Sequence, residues 1–190
     1  MDFLRLALVA AVGYLIGSIP MGVLLARLFG WSDPRTYGSG HTGALNISRQ
    51  SGKWAFVVVL VADTLKGLAA VWAGFLIYSD EWAFTAAGIA AVIGHCWPIW
   101  LRFKGGMGLA TGMGTGISLV PQAVAIGGVA LVILRFGVIK HTPRATVVAA
   151  LLIPPAAWFL NLSQPIFWLV LGVSVLIAYR HVSDWKRVYE

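Results

Sequence analysis

The chain of 190 residues is 59% hydrophobic and 11% charged, against about 25% charge in a soluble globular domain. Fourteen basic and seven acidic residues cannot coat a water-exposed surface of this size, which excludes a soluble enzyme, a disordered segment and a secreted disulfide scaffold. The net charge of +7 reads as a membrane-topology signal and gives no ground for a nucleic-acid partner, because no Lys/Arg patch forms on any helix. The single Cys96 forbids an internal disulfide. Residues 1–190 are expected to form one domain, built in a bilayer as an all-α integral membrane protein.

A membrane span needs about 20 apolar residues to cover roughly 30 Å of hydrocarbon. Leu4 to Phe29 is the first such run; it is too long for a secretion signal and lacks a small-residue cleavage site, so it is expected to be a helix. Lys53 to Tyr78 and Trp82 to Leu101 follow. Leu109 to Leu134 is interrupted by Pro121, and Ala145 to Leu160 and Gln164 to Tyr179 complete the series.

Charge then sets the topology. Eleven of the fourteen basic residues fall in four groups: Arg35, Arg49 and Lys53; Arg102 and Lys104; Arg135, Lys140 and Arg144; Arg180, Lys186 and Arg187. The connection between the second and third runs holds only Asp80 and Glu81. A continuous span over 109–134 would put the last two basic groups on opposite faces, whereas a chain that turns back at Pro121 keeps all four on one face. The expectation is therefore seven helical segments, the N-terminus outside, the C-terminus cytoplasmic, and a short helix pair hinged at Pro121. Each member of the pair would be about a dozen residues, roughly 18 Å.

Two polar connections carry the chemistry. The first reads Asp33-Pro34-Arg35, then GSGHTGALN over 38–46, then Arg49 and Gly52-Lys53. Glycines at this spacing suit either a flexible linker or an anion-binding nest of backbone N–H groups, and Arg49 offers phosphate a planar fork. The second, KGGMGLATGMG over 104–114, sets Lys104, Gly105, Gly106 and Gly108 just before a helix N-terminus, where free N–H groups favour an anion. Gly112, Gly114 and Gly116 fit close helix packing. The spacing is not a nucleotide-binding P-loop, so ATP is not expected. Two anion sites on one face imply two phosphorylated substrates, or one with two phosphates.

Asp63 and Lys66 share a helix face and form either a structural ion pair or part of the site. His95, in GHCWP over 94–98, and His181, beyond the last apolar run, are each either interfacial anchors or catalytic groups. His141 is expected to be a solvated bystander, and Cys96 a packing residue. Four scattered histidines without paired carboxylates make no metal site, and no Ser-His-Asp spacing stands out. Trp97 and Trp100 suit an interface belt or the entry of a lipid chain.

These residues resemble a family. GSIPMG over 17–22, Asp33 with Arg35, GSG over 38–40, Asn46, Arg49, Gly52-Lys53, Asp63, Lys66-Gly67, GHCWP, KGGMGLAT and Arg180-His181 are similar, in order, to the bacterial acyl-phosphate-dependent glycerol-3-phosphate acyltransferases, the PlsY family. The resemblance implies a seven-helix enzyme of the bacterial cytoplasmic membrane with its active site on the cytoplasmic side. It would transfer a long-chain acyl group from acyl phosphate to glycerol 3-phosphate without cofactor or covalent intermediate, in contact with membrane lipids. It carries catalytic roles to Ser39, Arg49 and His181. Gly38, Gly40, Asn46, Lys66, His95, Lys104, Gly105, Gly106, Gly108 and Thr111 take substrate-binding roles. The chain departs from the family pattern at His41 (usually Asn), Leu45 (usually Thr), Met107 (usually Lys) and Asp184 (usually Asn). Met107 removes a phosphate-binding charge and Asp184 adds a repulsive one. A lipid-binding relative without transfer activity and a small organic-phosphate transporter are the alternatives, although polar elements at one face fit a transporter's midplane site poorly.

Overall fold

In a computed structural model, residues 3–187 are described, and among them every regular element is helical. The first apolar run is bent: α1 (Phe3–Ser18) and α2 (Met21–Leu28) meet at Pro20, which cannot continue a helical hydrogen-bond ladder. There follow α3 (Ala44–Ile77), α4 (Glu81–Cys96), α5 (Leu109–Leu119), α6 (Pro121–Val132, prolonged by a π turn over Ile133–Val138), α7 (Thr142–Trp158) and α8 (Gln164–Val182). Counting α1 with α2 as one bent rod gives the seven expected segments. Among the described residues, five stretches are long and apolar enough to cross a membrane: Phe3–Leu28, Ala44–Ile77, Glu81–Leu101, Pro121–Val138 and Gln164–Val182.

Two boundaries differ from expectation. Helix α3 starts at Ala44, not Lys53, because residues 44–51 form a helical turn pair ahead of Gly52, whose φ of 82° breaks the helix just where the apolar run begins. The polar composition of that stretch conceals its helicity. The hinge at Pro121 is present, but its limbs are unequal: α5 has 11 residues, while the second limb runs 18 residues to Val138. The π turn extends it beyond the dozen residues expected.

Small residues bring the helices together. Gly13 and Gly17 of α1 lie against the backbone of Ala87 and Ala91 in α4, and Gly67 of α3 and Gly114 of α5 lie against the carbonyls of Thr111 and Thr64. A Cβ at any of these four would overlap backbone, so glycine sets the interhelical distance where no hydrophobic force drives association in lipid. The large side chains Trp54, Trp72, Phe136, Trp158 and Phe159 are exposed around the outside.

Long-range bonds fix which connections share an end. At one end Arg5 lies 5.7 Å over the Tyr78 ring, and the Thr85 hydroxyl donates to the Pro165 carbonyl at 2.8 Å. At the other, Arg180 donates to the Gly106 carbonyl, Arg144 donates to the Trp185 carbonyl, and His41 meets Asp184. All four basic groups thus gather at one end, and the chain does turn back at Pro121. In a Cys96→Ala background, cysteines placed at Arg102, Lys140 and Lys186 should all react with an impermeant thiol reagent from the same side of sealed vesicles. Labelling of residue 140 from the opposite side would contradict this.

Candidate active site

The first connection is organised by one side chain. Asn46, buried at the start of α3, donates through Nδ2 to the carbonyls of Pro34 (2.7 Å), His41 (3.0 Å) and Tyr37 (3.3 Å). Its Oδ1 accepts from the Ser39 N–H at 2.9 Å and from Arg49 Nη1 at 3.0 Å. Five bonds on one amide are possible only because the loop curls around it. Gly38 and Gly40 supply the curl with φ of 55° and 72°, and a Cβ on Gly38 would strike Asn46 Oδ1. Asn46 therefore holds the loop and Arg49 in place, with its polar atoms directed at protein groups. The Ser39 Oγ accepts from the His41 N–H at 3.3 Å, which leaves its own proton available to donate. Upstream, Asp33 accepts from Arg35 Nε at 2.9 Å, and that bond holds its carboxyl below the usual range.

The second connection folds back on the end of α4. The N–H of Gly105 donates to the Cys96 carbonyl at 3.2 Å and that of Gly106 to the His95 carbonyl at 3.0 Å. These two donors point inward, so the anion nest expected from them is not formed by their amides. Their glycine identity has another cause: a Cβ at Gly105 would strike the His95 carbonyl and one at Gly106 the His95 ring. Gly108, with φ of 86°, packs on Cys96 Sγ and caps the start of α5. Thr111 is fully buried one turn further on.

Below this loop lies a buried charge cluster. Lys66 Nζ is 2.8 Å from Asp63 Oδ1 and donates to the Ile19 carbonyl at 2.9 Å, which closes the broken end of α1 at Pro20. His95 Nδ1 is 3.4 Å from the same Asp63 oxygen. Lys66 and His95, expected at the substrate, are thus 4% and 5% exposed and sit beneath the loop, not on its open side.

Between the two connections opens a cleft of about 430 Å³ lined by Arg35, Gly40, Trp100, Leu101, Arg102 and Lys104. Three cations line it; the sequence reads two of them, Arg35 and Arg102, as topology signals, with Arg35 also part of the family resemblance, and assigns neither to the site. Arg102 and Phe103 both have positive φ (51° and 62°), a tight reversal that non-glycine residues seldom adopt and that turns this segment back along α4. A separate apolar trough of about 160 Å³ runs between α5, α6, α7 and α8, from Ile177 and Gly112 to Val120 and Val170.

The C-terminal segment completes the cluster. His181 is buried with Nδ1 2.8 Å from the Ile177 carbonyl. A carbonyl only accepts, so Nδ1 carries the proton and Nε2 is the basic nitrogen of the neutral ring. His41 Nε2 stands 3.0 Å from Asp184 Oδ2, so the carboxylate expected to repel substrate is buried and hydrogen-bonded inside the protein. Arg180 grips the Gly106 carbonyl at 2.9 Å while lying 5.3 Å over Trp97, a role its position beside a span end did not reveal. His141 is no bystander: it bonds the Arg187 carbonyl at 2.9 Å and caps α7.

Fold and cleft together define a polytopic, all-helical membrane protein with a basic cleft at one end. Comparison with known proteins gives the particular kind. The sequence pattern of the family described as glycerol-3-phosphate acyltransferase matches residues 7–190. A glycerol-3-phosphate acyltransferase of Rubrobacter xylanophilus is 39% identical over 91% of this chain and 87% of its own length. One from Neisseria meningitidis serogroup C is 35% identical over 95% and 92%. The crystal structure of PlsY, an integral membrane glycerol 3-phosphate acyltransferase, superposes with a TM-score of 0.85 in its glycerol 3-phosphate form, at 28% identity over 96% of this chain and 90% of that one. Its lysophosphatidic acid form gives 0.83. The chain belongs to the glycerol-3-phosphate acyltransferase family.

Burial of His41 disfavours its charged form more than the Asp184 carboxylate favours it, so His41 titrates below its ordinary value of 6.5. The unfolded chain then takes up this proton first, and the corresponding stability is present above about 6.5 and lost as pH falls through the folded value. The melting temperature of purified protein should drop less steeply in His41→Asn than in wild type between about pH 7.5 and about pH 5.5. Parallel curves would contradict the assignment.

Proposed function

We propose that this protein transfers the acyl group of a long-chain acyl phosphate to glycerol 3-phosphate, giving 1-acyl-glycerol 3-phosphate and inorganic phosphate. The observation that carries the proposal is the shared cleft: Arg35 and Gly40 of one connection face Arg102 and Lys104 of the other. Two phosphates repel; Arg102 and Lys104 on one wall offset that repulsion, while Arg35 on the other shares its charge with Asp33. The apolar trough beside α5 begins near Gly108 and Ile177, close under the glycine loop, and suits an acyl chain.

An acyl phosphate is a mixed anhydride with a good leaving group. The acceptor hydroxyl attacks the carbonyl carbon, the C–O bond to phosphate breaks, and the hydroxyl proton leaves to a base. No cofactor or acyl-enzyme is required by this balance. Arg49 and Lys104 hold phosphate charge, and Ser39 donates to the reacting groups. His181 Nε2 takes or guides the proton. Gly38 and Gly40 give the first connection its curl, Gly40 lines the cleft, and Asn46 holds Ser39 and Arg49 in the same loop beside it. Gly105, Gly106 and Gly108 let the second loop close on α4, with His95 and Lys66 as its base and Thr111 in the first turn of α5. Bringing the substrates together in this geometry supplies much of the remaining acceleration.

The basic end faces the cytoplasm under the positive-inside rule, which sets the N-terminus outside, the C-terminus inside and the site at the inner leaflet of a bacterial cytoplasmic membrane. Residues 1–190 act as one domain there.

Purified protein given palmitoyl phosphate and glycerol 3-phosphate should release phosphate and lysolipid in equal amounts. Ser39→Ala and Arg49→Ala should each lower turnover by at least about a hundredfold, as for loss of one preorganised donor. Near-normal transfer by both variants would overturn the site assignment.

A further inference from the structure

We propose that His41 and Asp184 form a positioning pair that docks the C-terminal segment on the first connection and so sets His181 opposite Ser39. The proposal rests on the catalytic roles given to those two residues above.

The pair joins segments 143 residues apart, through His41 Nε2 and Asp184 Oδ2 at 3.0 Å. The Asp184 side chain is only 3% exposed and that of His41 19%, so the contact lies inside the protein and not in mobile surface chain. Each partner is also tied through its own backbone to a reacting residue. The His41 N–H donates to Ser39 Oγ at 3.3 Å, and the Asp184 N–H donates to the His181 carbonyl at 3.1 Å. A shift of either side chain is therefore passed to Ser39 on one side and to His181 on the other.

The surroundings assign the work of the pair. Asp184 divides its oxygens: Oδ2 meets His41, and Oδ1 lies 3.4 Å from Arg187. His141 and Arg144 hold the carbonyls of Arg187 and Trp185, which anchors the tail to α7. Arg180 anchors α8 to the glycine loop through Gly106. These contacts fix the tail to α7 and α8 to the second connection, and the His41–Asp184 bond extends the set to the first. Any two side chains that make a hydrogen bond of this reach would serve, charged or neutral. Positioning at this level is worth a large factor in turnover, since displacement of a reacting group by about 1 Å costs on the order of a hundredfold.

The test is a double-mutant cycle on purified protein with palmitoyl phosphate and glycerol 3-phosphate. His41→Ala and Asp184→Ala should each lower kcat by about tenfold, with KM for glycerol 3-phosphate changed by less than about threefold. The double alanine variant should lose no more than the worse single, because both remove one shared contact. The neutral pair H41N/D184N should recover kcat to within about threefold of wild type, since two amides restore the hydrogen bond. Losses that multiply in the double variant, a D184A enzyme with normal kcat, an effect confined to KM, or an asparagine pair no better than the alanine pair would each overturn the proposal. If the alanine variants fail to fold, His41→Phe and Asp184→Leu, which keep bulk but remove the hydrogen bond, complete the same cycle with their double. Ser39→Ala and His181→Ala run in parallel separate the two levels: their near-normal activity defeats the catalytic roles, while their inactivity beside a multiplicative cycle defeats the pair alone.

Discussion

A backbone polar group at membrane depth must find its partner within the protein, and almost every feature of the functional end follows from that constraint. The buried parts of the connections fold back on the helices they join, although Arg35, Gly38, Gly40, Arg102 and Lys104 remain exposed. Gly105 and Gly106 bond to the last carbonyls of α4, Lys66 closes the broken end of α1, and Asn46 collects three carbonyls of the first loop. The buried Asp63–Lys66 pair belongs to the same economy of satisfied groups. Stranding either charge alone would cost about 3–5 kcal/mol, which ties α3 firmly to the kink at Pro20.

Satisfying the backbone inward leaves the cleft to be made by side chains. With the Gly105 and Gly106 amides occupied, the proposed anion recognition rests on Arg35, Arg102 and Lys104, which line the cleft, and on Arg49, held by Asn46. This division separates scaffold from charge. Glycine-rich loops provide thin walls that approach one another and the helix ends closely, and cations project from them. A rigid setting of this kind needs no reorganisation as charge develops on a departing phosphate, the condition under which fixed charges are most effective.

The helical runs, the turn at Pro121 and the clustering of basic groups were legible in the sequence because hydropathy and charge asymmetry report directly on the bilayer. The two glycine-rich stretches stood out in the sequence, but their composition did not show that the Gly105 and Gly106 amides bond the end of α4 in place of forming an anion nest. Other features depend on tertiary contact. The helicity of 44–51 is masked by polar residues, and the inward direction of the Gly105 and Gly106 amides depends on α4 folding beside them. Lys66 and His95 have the composition of substrate ligands, but their depth is set by packing. Asp184 read as an added repulsion and His41 as an isolated change; only their contact shows that each answers the other, which removes most of the ground for a relative without activity. Leu45, exposed at 48%, has no polar partner to lose. For Met107 nothing among the described residues replaces the missing lysine.

The central claim is that both glycine-rich connections wall a single cleft in which donor and acceptor meet. Its most direct measurement is intramolecular cross-linking of Arg35→Cys with Lys104→Cys in a Cys96→Ala background, using a short bifunctional thiol reagent. Rapid linkage within one molecule is the predicted result. Failure to link would contradict it.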